Sequence, residues 1–123
     1  MASTLDGPGQ QKMATLEDAA GRLQRLHGIV EKMAIAVRTQ QDVGAFKMQI
    51  QRVAVPLASL LKPQFGMVAD QVTGLVLIGS RGGSDQMKLR ALREGVASLR
   101  QQLEIAVNKV KELHTIEHEP SEE

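Results

Sequence analysis

Apolar residues recur through the middle of the chain at alternating steps of three and four, which is the spacing of one stripe on an α-helix. The first block predicts a helix over 12–40, with the stripe positions Leu16, Ala19, Leu23, Leu26, Val30, Met33 and Val37. The last block predicts a helix over 84–116, with Leu89, Leu92, Val96, Leu99, Leu103, Ala106, Val110 and Leu113 in the same register. Both stripes are typical of long amphipathic helices that pack through a seam.

Two shorter blocks lie between these long ones. The first predicts a helix over 42–61, in which Pro56 should produce a kink, with a split after Ala54 as the alternative. The second keeps helical spacing over 64–79, although its β-branched run 72–78 also suits a buried strand. We favour helix, because no other segment offers a convincing strand with which it could pair.

Polar residues mark the expected starts of three of these helices. Thr15 is placed to cap the first helix, Asp42 the second and Ser84 the last. We therefore predict an all-α protein, an antiparallel four-helix bundle with coiled-coil-like heptad packing. The bundle should occupy residues 12–116, between a disordered N-terminal segment, 1–11, and an acidic disordered tail, 117–123.

Composition agrees with one domain, since 123 residues with 42% apolar content suffice to close a core. The absence of cysteine excludes disulfides, thiolate metal sites and thiol nucleophiles. The longest apolar run, Gly74 to Gly79, is far short of the ~20 residues of a membrane span. The first residues lack the apolar core of a secretory signal, so a cytoplasmic location is expected.

The net charge is only +1, but four of the fourteen acidic residues fall within the last seven positions, so the rest is mildly basic. A basic strip comprises Arg81, Lys88, Arg90, Arg93 and Arg100. Arg93 and Arg100 lie one heptad apart beside the seam, where they could pair with Glu17 or Glu31. The strip lacks the density of a nucleic-acid site, and two aromatic residues leave few stacking surfaces.

His27 is the only histidine in the body of the predicted bundle. One accessible histidine on a long helix of a four-helix bundle describes a histidine phosphotransfer module, in which the imidazole accepts the phosphoryl group. Such modules carry lysine and glycine three and four residues after the histidine, where this chain has Val30 and Glu31. We therefore expect His27 to have a packing role, with phosphotransfer as an alternative.

Gly21 and Gly28 lie on the flank of the first helix away from its leucine stripe. Each glycine costs about 1 kcal/mol relative to alanine inside a helix, so a compensating close contact is expected there. A neighbouring helix of the bundle is the first interpretation. A close homodimer contact is the second.

Two short motifs resemble parts of known ligand sites, one for phosphate and one for zinc. The segment 79–84, Gly-Ser-Arg-Gly-Gly-Ser, could present backbone N–H groups to a phosphate, but it lacks the phosphate-loop pattern and suits a connector. His114, Glu117 and His118 form His-x-x-Glu-His, a spacing known from zinc sites, at a helix end that enters an acidic tail. The seam carries no carboxylate for a di-iron site, so we predict neither metal nor cofactor.

We predict a non-catalytic protein-interaction module, such as a small scaffold, adaptor or assembly subunit, that binds a protein partner. The third helix is too short to cover the distal stripe from Leu103 to Leu113, which stays exposed unless the first helix or a second copy covers it, so a homodimer is expected. Phosphotransfer through His27 and anion or nucleic-acid binding through the strip from Arg81 to Arg100 remain alternatives. The candidate interaction residues are Gly21, His27, Gly28, Arg93, Arg100, Leu103, Val110 and Leu113.

Overall fold

A computed structural model describes residues 2–80 and 83–118, and within them the chain forms four helices and two short strands. In chain order the elements are β1 (Ala2–Leu5), α1 (Gly7–Arg38), α2 (Gly44–Leu61), α3 (Gly66–Ser80), α4 (Asp85–His114) and β2 (Thr115–His118). Helices α1 and α3 each pack against both α2 and α4. Because short connections join helices that pack together, consecutive helices run antiparallel. The predicted all-α four-helix bundle is confirmed.

The predicted stripe positions build the core. In α1 the six positions from Leu16 to Met33 are buried, and in α4 the seven from Leu89 to Val110 are buried. No polar or charged side chain is buried among the residues that the structure describes. The core therefore consists of apolar side chains alone, as the spacing of three and four residues indicates.

The segment 72–78 lies inside α3, which confirms helix over the alternative of a buried strand. Val72 and Leu75 are buried against the core. A helix satisfies its backbone donors and acceptors internally, whereas a strand at this place would need a partner strand. Within the described ranges, no helix combines the length and the apolar character that crossing a membrane requires.

Pro56 lies within α2, which continues through it as one helix, so the alternative of two short helices is wrong. Pro56 and Arg52 are both exposed. The carbonyl of Arg52, which loses the N–H of residue 56 as its partner, is therefore on a face where water can reach it. The kink expected at Pro56 stays a prediction.

Two of the three predicted caps are found at or beside their predicted places. The Ser84 hydroxyl accepts a hydrogen bond from the Met87 N–H at 3.1 Å, which confirms it as the cap of α4. The N-cap position of α2 is Val43, one residue later than predicted. The Asp42 carboxylate accepts from the Gly44 N–H at 3.0 Å, so it still satisfies one free donor of this helix end.

Helix α1 begins at Gly7, five residues before the predicted start. Its N-cap is Asp6, whose carboxylate accepts from the Gly9 N–H at 2.7 Å. The prediction of Thr15 as the cap is wrong, because Thr15 lies inside the helix and its hydroxyl donates to a carbonyl one turn earlier. The Asp-Gly-Pro sequence at 6–8 supplies an acceptor and a proline at the helix start, which together favour initiation there.

The two ends of the described chain pair with each other. Strand β1 is antiparallel to β2, with Ala2 opposite His118 and Leu5 opposite Thr115. This pairing corrects two expectations, that 1–11 lacks regular structure and that the chain holds no strand. Because α1 and α4 are adjacent and antiparallel, they bring these two short segments together. The sequence of a four-residue strand alone could not indicate this pairing. Of the predicted tail 117–123, residues 119–123 lie outside the described residues.

The distal half of α4 is covered by α1. With 32 and 30 residues, α1 and α4 are about 48 and 45 Å long, whereas α2 and α3 have only 18 and 15 residues. Leu103 and Val110 are buried, and only Leu113, 73% exposed, has the predicted exposure. Of the two ways to cover this stripe, the first helix is the one that the structure shows, because α1 extends back to Gly7. The homodimer stays a prediction that this stripe does not support.

Candidate interaction groove between the first and last helices

Two neighbouring clefts lie along the α1–α4 pair, and we call them together the α1–α4 groove. Its wider part has a volume of about 440 Å³, and its narrower part has a volume of about 170 Å³. Arg100 lines both parts and lies where they meet. The side chains that line its two walls are Ala20, Gln24, His27 and Glu31 on α1 and Arg93, Ala97, Arg100 and Glu104 on α4.

Helical spacing explains why these residues share one surface. On each helix the wall residues follow one another at steps of three or four, so they form a stripe beside the buried seam. Leu16, Leu23 and Leu103 of the seam form the apolar floor of the wider part. Ala20 and Ala97 leave room between the helices, because their side chains are single methyl groups. The result is an apolar floor between polar rims.

An ion pair joins the two walls of the narrower part. The Arg93 guanidinium donates to both carboxylate oxygens of Glu31, at 2.8 and 3.0 Å. This bond is the main reason that the pKa of Glu31 lies below its ordinary value, and it raises the pKa of Arg93. The predicted pairing of Arg93 with Glu17 or Glu31 is confirmed with Glu31. Because this fork is bidentate, it adds a directional contact between α1 and α4 on the solvent side of their buried seam.

Arg100 differs from Arg93, since it forms no hydrogen bond or ion pair with any residue in the described part of the chain. Its guanidinium is exposed at the junction of the two parts of the groove. Glu104, one turn further along α4, lines the wider part. The rim therefore offers one unpaired cation beside an apolar floor.

His27 lies half-buried in the narrower part, in the same cleft as Glu31, Arg93 and Arg100. Its positive form would lower the pKa of Glu31, a smaller effect than that of Arg93. Three of the candidate residues from the sequence, His27, Arg93 and Arg100, thus meet in one cleft. The sequence suggested each separately, because their meeting depends on the register between two helices that are far apart along the chain.

The flank with Gly21 and Gly28 faces open space. A side chain added at either glycine would meet no atom within 4 Å among the described residues. The expectation of a close neighbouring helix there is therefore wrong, because α2 and α4 pack against other faces of α1. The flank lies about 80–100° around α1 from Ala20, next to the groove.

Two other described glycines do lie in close contacts: Gly9 of α1, where a side chain would overlap the His114 side chain, and Gly95 of α4. A side chain at position 95 would overlap the Leu75 side chain, which crosses from α3 onto the α4 backbone. The position of Gly95 beside the α4 seam was the available signal in the sequence. The remaining candidate residues lie along the distal part of α4, with Leu103 in the groove floor, Val110 buried and Leu113 exposed.

The basic strip does not form one continuous surface. Arg90 pairs with Glu94 on its own helix at 3.5 Å, and Arg93 pairs with Glu31. Lys88 lines a different cleft, beside Asp42 and Asp85. Arg81 and Gly82 of the glycine-rich segment lie outside the described residues. Acidic partners therefore neutralise Arg90 and Arg93 in the middle of the strip, whereas Arg100 at its end has no such partner among the described residues.

His114, the last residue of α4, joins the end of α4 to the start of α1, and we call this contact the clasp. Its Nδ1 lies 3.1 Å from the Asp6 carboxylate, and its Nε2 lies 3.2 Å from Lys12 Nζ. Because an ammonium only donates, Nε2 is the acceptor and Nδ1 carries the proton donated to Asp6. The main chain adds a bond from the Asp6 N–H to the His114 carbonyl at 2.9 Å.

His114, the first histidine of the His-x-x-Glu-His motif, is thus already bonded to Asp6 and Lys12. The side chains of Glu117 and His118 lie outside the described part of the structure. Within the described residues, no group of three or more His, Asp or Glu side chains is placed to hold a metal ion.

Comparison of the chain with protein-family models, with curated proteins and with solved structures finds no match in any of the three. The function is therefore argued from the geometry of this chain.

Proposed function

We propose that the protein is a non-catalytic interaction module, a small cytoplasmic scaffold, adaptor or assembly subunit, that docks one helix of a partner protein in the α1–α4 groove. The observation that carries this proposal is the composition of the groove. Its floor is apolar, its walls contain small alanines, and its rim holds an unpaired Arg100. These are the features with which a helical groove receives the apolar face of another helix.

The dimensions of the groove support a helix as the occupant. From Leu16 to Glu31 the lining covers about 22 Å of α1 at 1.5 Å per residue, or about four turns of a docked helix. Apolar anchors at helical spacing would contact Leu23 and Leu103 between the two alanines. An acidic side chain on the partner would pair with Arg100, because no described residue of this chain does so.

Phosphotransfer through His27 is the less favoured function. The cleft is accessible and holds two arginines, which suit a phosphoryl group. It also holds the Glu31 carboxylate, kept ionised by Arg93, and this negative charge would repel the incoming group. Anion or nucleic-acid binding through the strip is weakened in the same way, since Glu31 and Glu94 neutralise two of its arginines.

The docking proposal is tested by filling the groove. Ala20→Phe adds a ring at an exposed wall position without altering a buried residue. Affinity capture from the native cell is compared for the wild type, for this variant and for the control Ala14→Phe. Ala14 is an exposed alanine of the same helix, about 200° around it from Leu16, so the control adds the same ring on another face.

The expected result is one partner that is captured by the wild type and the control and lost with Ala20→Phe. Charge reversal by Arg100→Glu should weaken the same capture. Retention of every captured protein by Ala20→Phe, or equal losses in the two phenylalanine variants, would contradict docking in this groove.

Self-association is the second part of the proposed function. It no longer rests on the distal stripe of α4, which α1 covers. Its support is Met67 and Leu77 of α3, two large apolar side chains that are 84% and 55% exposed and that the sequence pattern did not single out.

A further inference from the structure

The clasp brings together an amine, a base and a carboxylate. Lys12 Nζ lies 3.2 Å from Nε2 of His114, and Nδ1 of the same ring lies 3.1 Å from the Asp6 carboxylate. A nucleophile within hydrogen-bond reach of a base, with the base oriented by a third group, is the arrangement that activates nucleophiles in proteins. In the described part of the chain, Lys12 is the only lysine whose side-chain nitrogen has a hydrogen-bond partner.

The tautomer of His114 directs its lone pair toward Lys12. Because the lysine nitrogen donates to Nε2, the other ring nitrogen carries the proton that is donated to Asp6. The Asp6 carboxylate orients the ring and stabilises the positive charge that the ring acquires when it accepts a proton. Asp6 is therefore a positioning residue, and His114 is the base that faces the amine.

Two further contacts hold His114 in place. The Asp6 N–H donates to the His114 carbonyl at 2.9 Å. A side chain at Gly9 would overlap the His114 side chain, so this glycine allows His114 to lie against the α1 backbone. The His114 side chain is 18% exposed and Lys12 is half-buried. The base is thus positioned in the folded chain, and a small reagent can reach the amine from solvent.

We propose that the clasp makes Lys12 a modification site, at which the side-chain amine is acylated by an uncharged thioester with His114 as the general base. An uncharged donor is favoured because the Asp6 carboxylate belongs to the same cluster and would repel an anionic donor such as an acyl phosphate. This site lies outside the α1–α4 groove, and the inference does not rest on docking or on self-association.

The reaction transfers an acyl group from sulfur to nitrogen. The Lys12 ammonium first loses one proton to water, and the lone pair of the neutral amine then forms a C–N bond with the thioester carbonyl carbon. As this bond forms, Nε2 of His114 accepts a second proton from the nitrogen. The C–S bond breaks, and the thiolate leaves with the electron pair and takes up the proton from His114. The products are an amide at Lys12 and a free thiol.

The first test compares two lysines within one protein. The full chain is incubated at about pH 8 with N,S-diacetylcysteamine, an uncharged acetyl thioester, and peptide mass spectrometry follows the acetylation of each lysine. Lys109 is the internal control, since it is exposed and has no hydrogen-bond partner in the described part of the chain. Lys12 should react at least about tenfold faster, because general-base assistance contributes factors of about 10²–10⁴ in enzymes. Exposure alone predicts the reverse order.

Substitution of the base tests its part in this reactivity. His114→Gln keeps a polar side chain at the clasp but removes the imidazole, so the acetylation rate of Lys12 should fall to that of Lys109. His27→Gln, at a histidine that lines the narrower part of the α1–α4 groove, should leave both rates unchanged. Circular dichroism of each variant, together with the rate at Lys109, establishes that the helices are intact.

The pH profile of the wild type gives a readout that needs no substitution. Both lysines lose free amine alike as the pH falls, so the ratio of their rates isolates the contribution of the base. This ratio should fall toward one between about pH 8 and about pH 5, because a protonated ring no longer accepts a proton. The charged groups recorded in contact with the ring are Asp6 and Lys12.

The outcomes separate a general base from a merely accessible lysine. Equal rates at Lys12 and Lys109, or a slower rate at Lys12, would overturn the proposal. A fast Lys12 that survives His114→Gln, or a ratio that does not change with pH, would also overturn it, because the reactivity would then not come from the imidazole. With acetyl phosphate as the probe the ratio should be lower than with the thioester, and an equal or higher ratio would overturn the choice of an uncharged donor.

Discussion

The side chain of Leu75 in α3 lies over the backbone of Gly95 in α4, in the space that any side chain at position 95 would need. The atom in the way is the terminal Cδ2 of Leu75, and because Leu75 is buried, relief of the overlap requires another rotamer within the packed α3–α4 contact. The contact sets how closely α3 approaches α4. Gly95 is thus a glycine that allows α3 and α4 to pack closely, as Gly9 does where α1 meets His114.

Gly95→Ala should therefore destabilise the protein despite the higher helix propensity of alanine. Overpacking in a core typically costs about 1–3 kcal/mol, which exceeds the gain of up to about 1 kcal/mol from propensity. Urea denaturation followed by circular dichroism measures the change in the free energy of unfolding. An increase in that free energy would show that α3 moves away without cost.

Gly28→Ala should have the opposite effect. Position 28 is open, so the substitution adds helix propensity without a clash and should stabilise by up to about 1 kcal/mol. Gly21→Ala, on the same open flank, should behave alike. Thermal melts of both variants check this, and a lower melting temperature for either would mean that something packs against the flank.

The Asp6 carboxylate should make stability depend on acid pH. The Gly9 N–H is the main cause that lowers its pKa, and His114 and Lys12 contribute in the same direction. A carboxyl whose pKa is lower in the folded state stabilises the fold above its unfolded pKa, and this contribution is lost as the pH falls through the folded pKa. The melting temperature of the wild type should therefore fall on acidification below about pH 4.

Asp6→Asn is the matched control for this pH dependence. Asparagine also caps helices well, so it keeps the bond from Gly9 and removes only the titration. The difference in melting temperature between wild type and variant should shrink as the pH falls. Parallel curves for the two proteins between pH 2 and about pH 6 would show that Asp6 contributes nothing through its charge.

His27→Gln should leave the fold intact. His27 is only half-buried and its ring makes no hydrogen bond in the described structure, so the free energy of unfolding should change by less than about 0.5 kcal/mol. The wild type should form no acid-labile phosphohistidine with a small phosphoryl donor such as phosphoramidate. Stoichiometric phosphorylation that His27→Gln abolishes would establish His27 as a phosphoryl acceptor.

The four helices could be predicted because burial of one stripe governs each of them. The apolar spacing from Leu89 to Val110 predicts an amphipathic helix whichever neighbour buries its apolar side. The start at Gly7 and the pairing of β1 with β2 could not be predicted, since both depend on α1 and α4 lying side by side. Asp6 becomes part of a clasp only once His114, at the other end of the chain, reaches it.

The candidate groove was predictable only in part. His27, Arg93 and Arg100 stand out by residue type, and Glu31 was available as a partner of Arg93. Ala20 and Ala97 carry no signal in the sequence, because an exposed alanine is common on any helix. Their role follows from the register of α1 against α4, which sets where the space between the helices lies.

The most direct test of docking in the α1–α4 groove is site-specific photo-crosslinking in the native cell. A photoreactive residue replaces Gln24 on the groove wall, and in a second strain it replaces Gln11, exposed about 180° around α1 from Ala20. Docking in this groove predicts a crosslink from position 24 to a helix of one partner protein, and none to that partner from position 11. Equal crosslinking from the two positions, or no crosslinked protein at position 24, would contradict it.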